Sequence, residues 1–89
     1  MEYLDLGHVV FRKKDLIKAS INGRAQSVMV VDFKDNLLSP KPEDKTLIVS
    51  DLTGEIHNIF ARYCRKHDFL PKYEQEFKEI VSKKLAKVY

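Results

Sequence analysis

Apolar positions change rhythm midway along the chain. In the second half they recur at three- and four-residue intervals. Ile56, Ile59, Phe60, Tyr63 and Cys64 share one face at roughly 100° per residue, which predicts an amphipathic helix from about Leu52 to His67. Ser50, Asp51 and Thr53 offer side-chain oxygens to the amides of its first turn. Tyr73, Phe77, Ile80, Val81, Leu85 and Val88 predict a second helix from about Pro71 to Val88. Its proline suits a first turn, where a missing N–H costs nothing. Glu74 with Lys78 and Glu79 with Lys83 are i, i+4 pairs in the favourable order, and Lys83, Lys84 and Lys87 crowd the negative end of the helix dipole. Lys84 falls inside the apolar stripe, so its stem is expected over the core edge with the ammonium in water.

The first half reads in strands. Tyr3 to Phe11 predicts one strand, or a short one interrupted at Gly7. Leu16 to Ile21 and Ala25 to Phe33 flank Asn22-Gly23, whose residues both accept positive φ, and this predicts a β-hairpin. A rival reading makes Lys13 to Ile21 a short helix that ends near Gly23; the hairpin accounts for more of the pattern. Asp35 to Lys45 carries Pro40 and Pro42 and reads as a loop longer than the usual ~4–6 residues, with Leu37 and Leu38 available to pack it. Thr46 to Ser50 is a β-branched strand. The predicted class is α+β: a three- or four-stranded, mainly antiparallel sheet with two C-terminal helices packed on one face. One domain is expected over residues 1–89, with strands and loop in 1–50 and the helical pair in 51–89.

Composition narrows the class without naming a role. Apolar residues make up 44% and charged residues 33%, which is a globular rather than a disordered balance. The longest strongly apolar run, Val28 to Val31, is far short of the ~20 residues of a membrane span. Met-Glu-Tyr-Leu-Asp at the N-terminus lacks the basic and apolar regions of a signal peptide. One cysteine forms no internal disulfide, and a cytoplasmic location is expected.

The net charge is +3, with eight basic against seven acidic residues up to Ser50 and eight against six after it. No strongly basic arm exists, but two clusters stand out. Arg12, Lys13, Lys14 and Lys18 lie in the first half; Arg62, Arg65 and Lys66 form the polar back of the first predicted helix. If the fold joined them they would make a phosphate-binding surface. The helical pair is a poor DNA-reading helix-turn-helix, because Glu74, Glu76 and Glu79 occupy the start of its second helix, where carboxylates repel phosphates. Phe33, Phe60, Tyr63, Tyr73 and Phe77 sit at core-like spacings and are expected to be packed.

Other chemistry is sparse. On a helix His57 and Cys64 stand about 10 Å apart, too far to share one zinc ion, and no metal site or cofactor is expected. Asp15, Asp32 and Lys34 form the sharpest catalytic pattern. Asp32 and Lys34 point the same way along a strand, and Asp15 lies on its hairpin partner. Two carboxylates holding Mg²⁺ beside a lysine suit phosphodiester hydrolysis. Over the stretch Asp15 to Lys34 the pattern is similar to the motif of the PD-(D/E)xK nucleases, and the resemblance implies a metal-dependent nuclease.

Taken together, these features predict a small non-catalytic binding or regulatory module, with nucleic acid as first partner through Arg12, Lys13, Lys14, Lys18, Arg62, Arg65 and Lys66. The alternatives are a module that binds an acidic protein, self-associates or adds a strand at a sheet edge, and a minimal nuclease using Asp15, Asp32 and Lys34. No membrane and no small-molecule partner is expected.

Overall fold

Strands take up more of the chain than its periodicity predicts. The computed structural model describes residues 3–35 and 37–88. In chain order these form β1 (Tyr3–Asp5), β2 (Val10–Arg12), β3 (Leu16–Ile21), β4 (Arg24–Lys34), β5 (Thr46–Ser50), β6 (Ile56–Phe60), β7 (Cys64–Arg65) and α1 (Pro71–Val88), with 3-10 turns at Pro42–Asp44 and Ala61–Tyr63. Strands β1 and β2 pair as a separate ribbon, and the other five form an antiparallel sheet in the order β6-β5-β4-β3-β7. The class is α+β as expected, but with a five-stranded sheet and one helix instead of two. No helix of the described residues is long and apolar enough to cross a membrane.

The helix predicted over Leu52 to His67 is replaced by β6, a 3-10 turn and β7. The reason lies in the turn before it. Gly54 has φ +89°, a left-handed conformation that ends regular structure rather than extending a helix. Asp51 accepts hydrogen bonds through Oδ1 from the Thr53 amide, the Thr53 hydroxyl and the Glu55 amide. Gly54 N–H donates to the Asp51 carbonyl. The oxygens that resemble a helix cap therefore close a β5–β6 hairpin. Of the supposed apolar stripe only Ile59 and Cys64 are buried, while Ile56, Phe60 and Tyr63 are exposed.

The Asn22-Gly23 hairpin forms as predicted, with both residues at positive φ and Ile21 opposite Arg24. Tyr3 to Phe11 divides at Gly7, also at positive φ, into the antiparallel β1–β2 pair. A bulge then decides what faces inward along β4. Val30 opposes Val49, but Asp32 opposes Ile48, so Val31 is the extra residue. Without it, period-2 alternation would turn Asp32 to the core; with it, Phe33 turns inward and Asp32 outward.

The sheet is curled. Its edge strands β6 and β7 are joined only by Ala61–Tyr63. In a flat five-stranded sheet the edges would stand ~19 Å apart, whereas four residue steps reach only ~14 Å. The curl encloses Ile17, Ala19, Ile21, Val28, Val30, Leu47, Val49 and Ile59, and the ribbon contributes Leu4 and Phe11. Helix α1 packs outside it, setting Phe77 and Val81 against Leu16 and Met29. Glu74 and Lys78 pair at 2.9 Å.

The misplaced Lys84 now has a reason. An added Cβ at Gly54 would lie 3.2 Å from the Lys84 Cβ and 3.5 Å from its Cδ, so the lysine stem covers the β5–β6 turn closely enough that a side chain there would have to push it aside. Val88 lies within α1, but its side chain is outside those described. Leu37 and Leu38 do not pack the long loop against the core; they are 97% and 96% exposed.

Candidate nucleic-acid interface

Pairing of β7 with β3 brings one residue of the first basic cluster, Lys18, beside the second. Lys18 lies directly opposite Arg65, and Ala19 opposite Cys64. Ala19 and Cys64 turn into the core, so Lys18 and Arg65 share the outer face. Like charges directly opposite on adjacent strands repel. Neither cation has a carboxylate partner among the described residues. Lys18 Nζ rests 5.7 Å from the centre of the Phe69 ring, a contact that supplies no counter-charge.

These two cations border a groove of about 400 Å³, lined also by Ser20, Arg62, Tyr63 and the backbone at Gly23. Tyr63 and Phe60 are 55% and 44% exposed, not packed as their spacing predicts. Their ring centres lie 6.4 Å apart, and the Arg62 guanidinium sits 5.7 Å from the Phe60 ring. Tyr73 is exposed as well, so of the five aromatics expected in the core only Phe33 and Phe77 are buried. The 3-10 turn causes the exposure: it buries Ala61 and carries Tyr63 over the rim.

The remaining predicted cations are placed differently. Lys66 Nζ pairs with Asp15 at 2.6 Å and lies 5.7 Å from the Phe11 ring. Arg62 pairs with Asp44, which also accepts from the Ser39 hydroxyl. Lys13 pairs with Asp32 at 3.5 Å. Arg12 lies 6.0 Å from the ring of Tyr3. Lys14 has φ +71° in the tight turn Arg12–Asp15, where the Asp15 amide donates to the Arg12 carbonyl. The Lys66–Asp15 pair ties that turn to the residue after β7.

The nuclease-like residues are each committed to other partners. Asp15 lies just before β3, where its carbonyl accepts from the Val30 amide. Asp32 and Lys34 lie on the outward face beyond the Val31 bulge. Asp15 is held by Lys66 and by the Arg12 amide. Asp32 accepts from the Phe33 amide and pairs with Lys13, interactions that lower its pKa. The two carboxylates are thus each engaged by their own lysine.

Asp51, Glu55 and His57 also gather, their ligand-type atoms lying within 4.8 Å of one another. Turn closure accounts for them: Asp51 Oδ1 takes three donors and Oδ2 meets His57 Nε2 at 3.0 Å. Cys64 is buried, its Sγ donates to the Phe60 carbonyl, and burial pushes its thiol pKa up to about 12, which suits neither a nucleophile nor a ligand.

No protein-family model, curated protein or solved structure matches the chain.

Proposed function

We propose that this protein is a non-catalytic module that binds single-stranded nucleic acid along the β3–β7 edge. The observation that carries this reading is the unneutralised Lys18–Arg65 pair on one sheet face. Two adjacent cations without a carboxylate gain most from a phosphate, which relieves their mutual repulsion as well as binding each of them. Exposed Tyr63 and Phe60 beside the groove offer flat apolar surfaces of the kind on which unpaired bases stack. A single strand suits this better than a duplex, because among the described residues neither α1 nor the β1–β2 ribbon lines the groove. The separate lysine partners of Asp15 and Asp32 favour binding over hydrolysis.

The test is fluorescence anisotropy with a labelled single-stranded oligonucleotide. Binding should weaken as salt rises, and Lys18→Glu together with Arg65→Glu should abolish it while leaving the circular dichroism spectrum intact. Tyr63→Ala should weaken it by about 1–3 kcal/mol if a base stacks there. Binding that ignores both salt and the double charge reversal would overturn the reading.

A further inference from the structure

The two edges of the sheet are built in opposite ways. Edge β7 is two residues long, includes Arg65 and is followed by Lys66, and shortness and charge are the usual protections against unwanted pairing. Edge β6 has neither. Its sequence Ile-His-Asn-Ile-Phe carries no lysine, glutamate or proline, and its register against β5 runs without a bulge.

Its free backbone groups can be identified. The Asp51 amide donates to the Glu55 carbonyl and the Ala61 amide to the Lys45 carbonyl, one pair beyond each end of the β5–β6 ladder. Bonded pairs alternate in an antiparallel ladder, so His57 and Ile59 bond to β5, while Ile56, Asn58 and Phe60 aim their N–H and C=O groups away from it. The Phe60 carbonyl caps the 3-10 turn that follows and also meets the Cys64 thiol at 3.6 Å, so the free groups of the edge are those of Ile56 and Asn58 and the Phe60 N–H. The side chains of Ile56, Asn58 and Phe60 lie together on the exposed face. A slot of about 470 Å³ lies between this edge and Ser20, Ile21 and Asn22 of β3 and its turn, and among the described residues no strand pairs with the edge.

We propose that β6 is a self-association edge, which pairs antiparallel with β6 of a second copy about a two-fold axis at Asn58. A second copy fits because the strand is complementary to itself. Centred on Asn58, the bonded positions of one strand meet the bonded positions of the other. Ile56 then faces Phe60 of the second copy, a β-branched–aromatic pair of the favourable kind, and Asn58 faces Asn58. No charge opposes a like charge along the seam, although the chain as a whole carries +3. Closed two-fold pairing uses both edges at once and leaves no open strand for further growth. A five-residue strand pair is smaller than the ~1,200 Å² of a stable interface, so the dimer is weak and concentration-dependent.

The experiment is light scattering on the full chain from low micromolar to near-millimolar concentration, without nucleic acid, so that its failure leaves the basic groove untouched. The mass should rise from 10.4 kDa toward twice that value, and the Ile56 and Asn58 amides should exchange more slowly as concentration rises. Asn58→Pro removes only an outward N–H, which a strand edge tolerates, and should hold the chain monomeric at every concentration. Ile56→Lys, on the exposed face, should do the same and decides the matter if the proline variant does not fold. A wild-type chain that stays monomeric near millimolar concentration overturns the proposal. So does a dimer that survives the folded variants, or a monomer whose β6 amides become protected only when a different protein is added.

Discussion

Asp51 does more for the fold than its place in a surface turn implies. Its side chain is only 17% exposed, and burial alone would raise its pKa. The Thr53 hydroxyl, His57 and the Glu55 and Thr53 amides outweigh that cost and lower it instead. A carboxylate whose folded pKa lies below its unfolded value near ~3.9 contributes stability that is fully present above that value and lost as pH falls through the folded one. Asp51→Ala should therefore lower stability by about 1–3 kcal/mol at neutral pH, the range for hydrogen bonds to a charged group. The difference from wild type should shrink in melts taken below about pH 4. A difference that persists undiminished in acid would mean that the turn depends on the shape of residue 51 rather than its charge. Gly54 reinforces the turn from the other side, since its left-handed φ and its contact with Lys84 both work against a side chain.

Among the elements, α1 was the most legible, because its stripe runs for five turns broken only by Lys84 and no turn residue competes with it. Its attachment rests on few contacts: Phe77 and Val81 meet Leu16 and Met29, with Phe69 and Leu85 at the margin. Phe77→Ala should cost about 3–5 kcal/mol, a large part of the ~5–15 kcal/mol typical of a domain, and should shift the urea midpoint downward. A change below about 1 kcal/mol would show that the curled sheet holds without its helix. The Asn22-Gly23 hairpin was legible for the same reason as α1: one local signal dominates. Residues 52–67 misled because Ile56, Ile59, Phe60, Tyr63 and Cys64 reproduce a helical interval while belonging to two strands and the turn between them. Asp51 and Thr53 serve helix caps and hairpin turns alike; the discriminating signal was Gly54 between two β-branched runs. Lys18 and Arg65 were nominated from composition, but their apposition depends on β3–β7 pairing between distant segments, which no local pattern encodes. Tyr63 and Phe60 were missed as candidate stacking surfaces because the false helix assigned them to the core.

At the scale of the whole molecule, net charge says little about where a polyanion would bind, because three of the seven nominated cations are already neutralised. Lys13, Lys66 and Arg62 are paired with Asp32, Asp15 and Asp44. A cation that brings its own carboxylate adds little field at a phosphate and must break a pair to serve one. Lys18 and Arg65 bring none, so the field should be concentrated where the sheet edge joins them, with Arg12 as a secondary contributor over Tyr3. This predicts an order among single alanine variants in nucleic-acid binding. Lys18→Ala and Arg65→Ala should each flatten the slope of log affinity against log salt by about 0.7, the loss of one single-strand phosphate contact. Arg62→Ala and Lys66→Ala should change that slope less, and Lys13→Ala least, since Asp32 lies on the outer face across β4 from the groove. Titrations of the five variants at several salt concentrations give the slopes directly. Equal losses at all five positions would mean a diffuse attraction set by the +3 net charge, and would dissolve the β3–β7 edge as a distinct site.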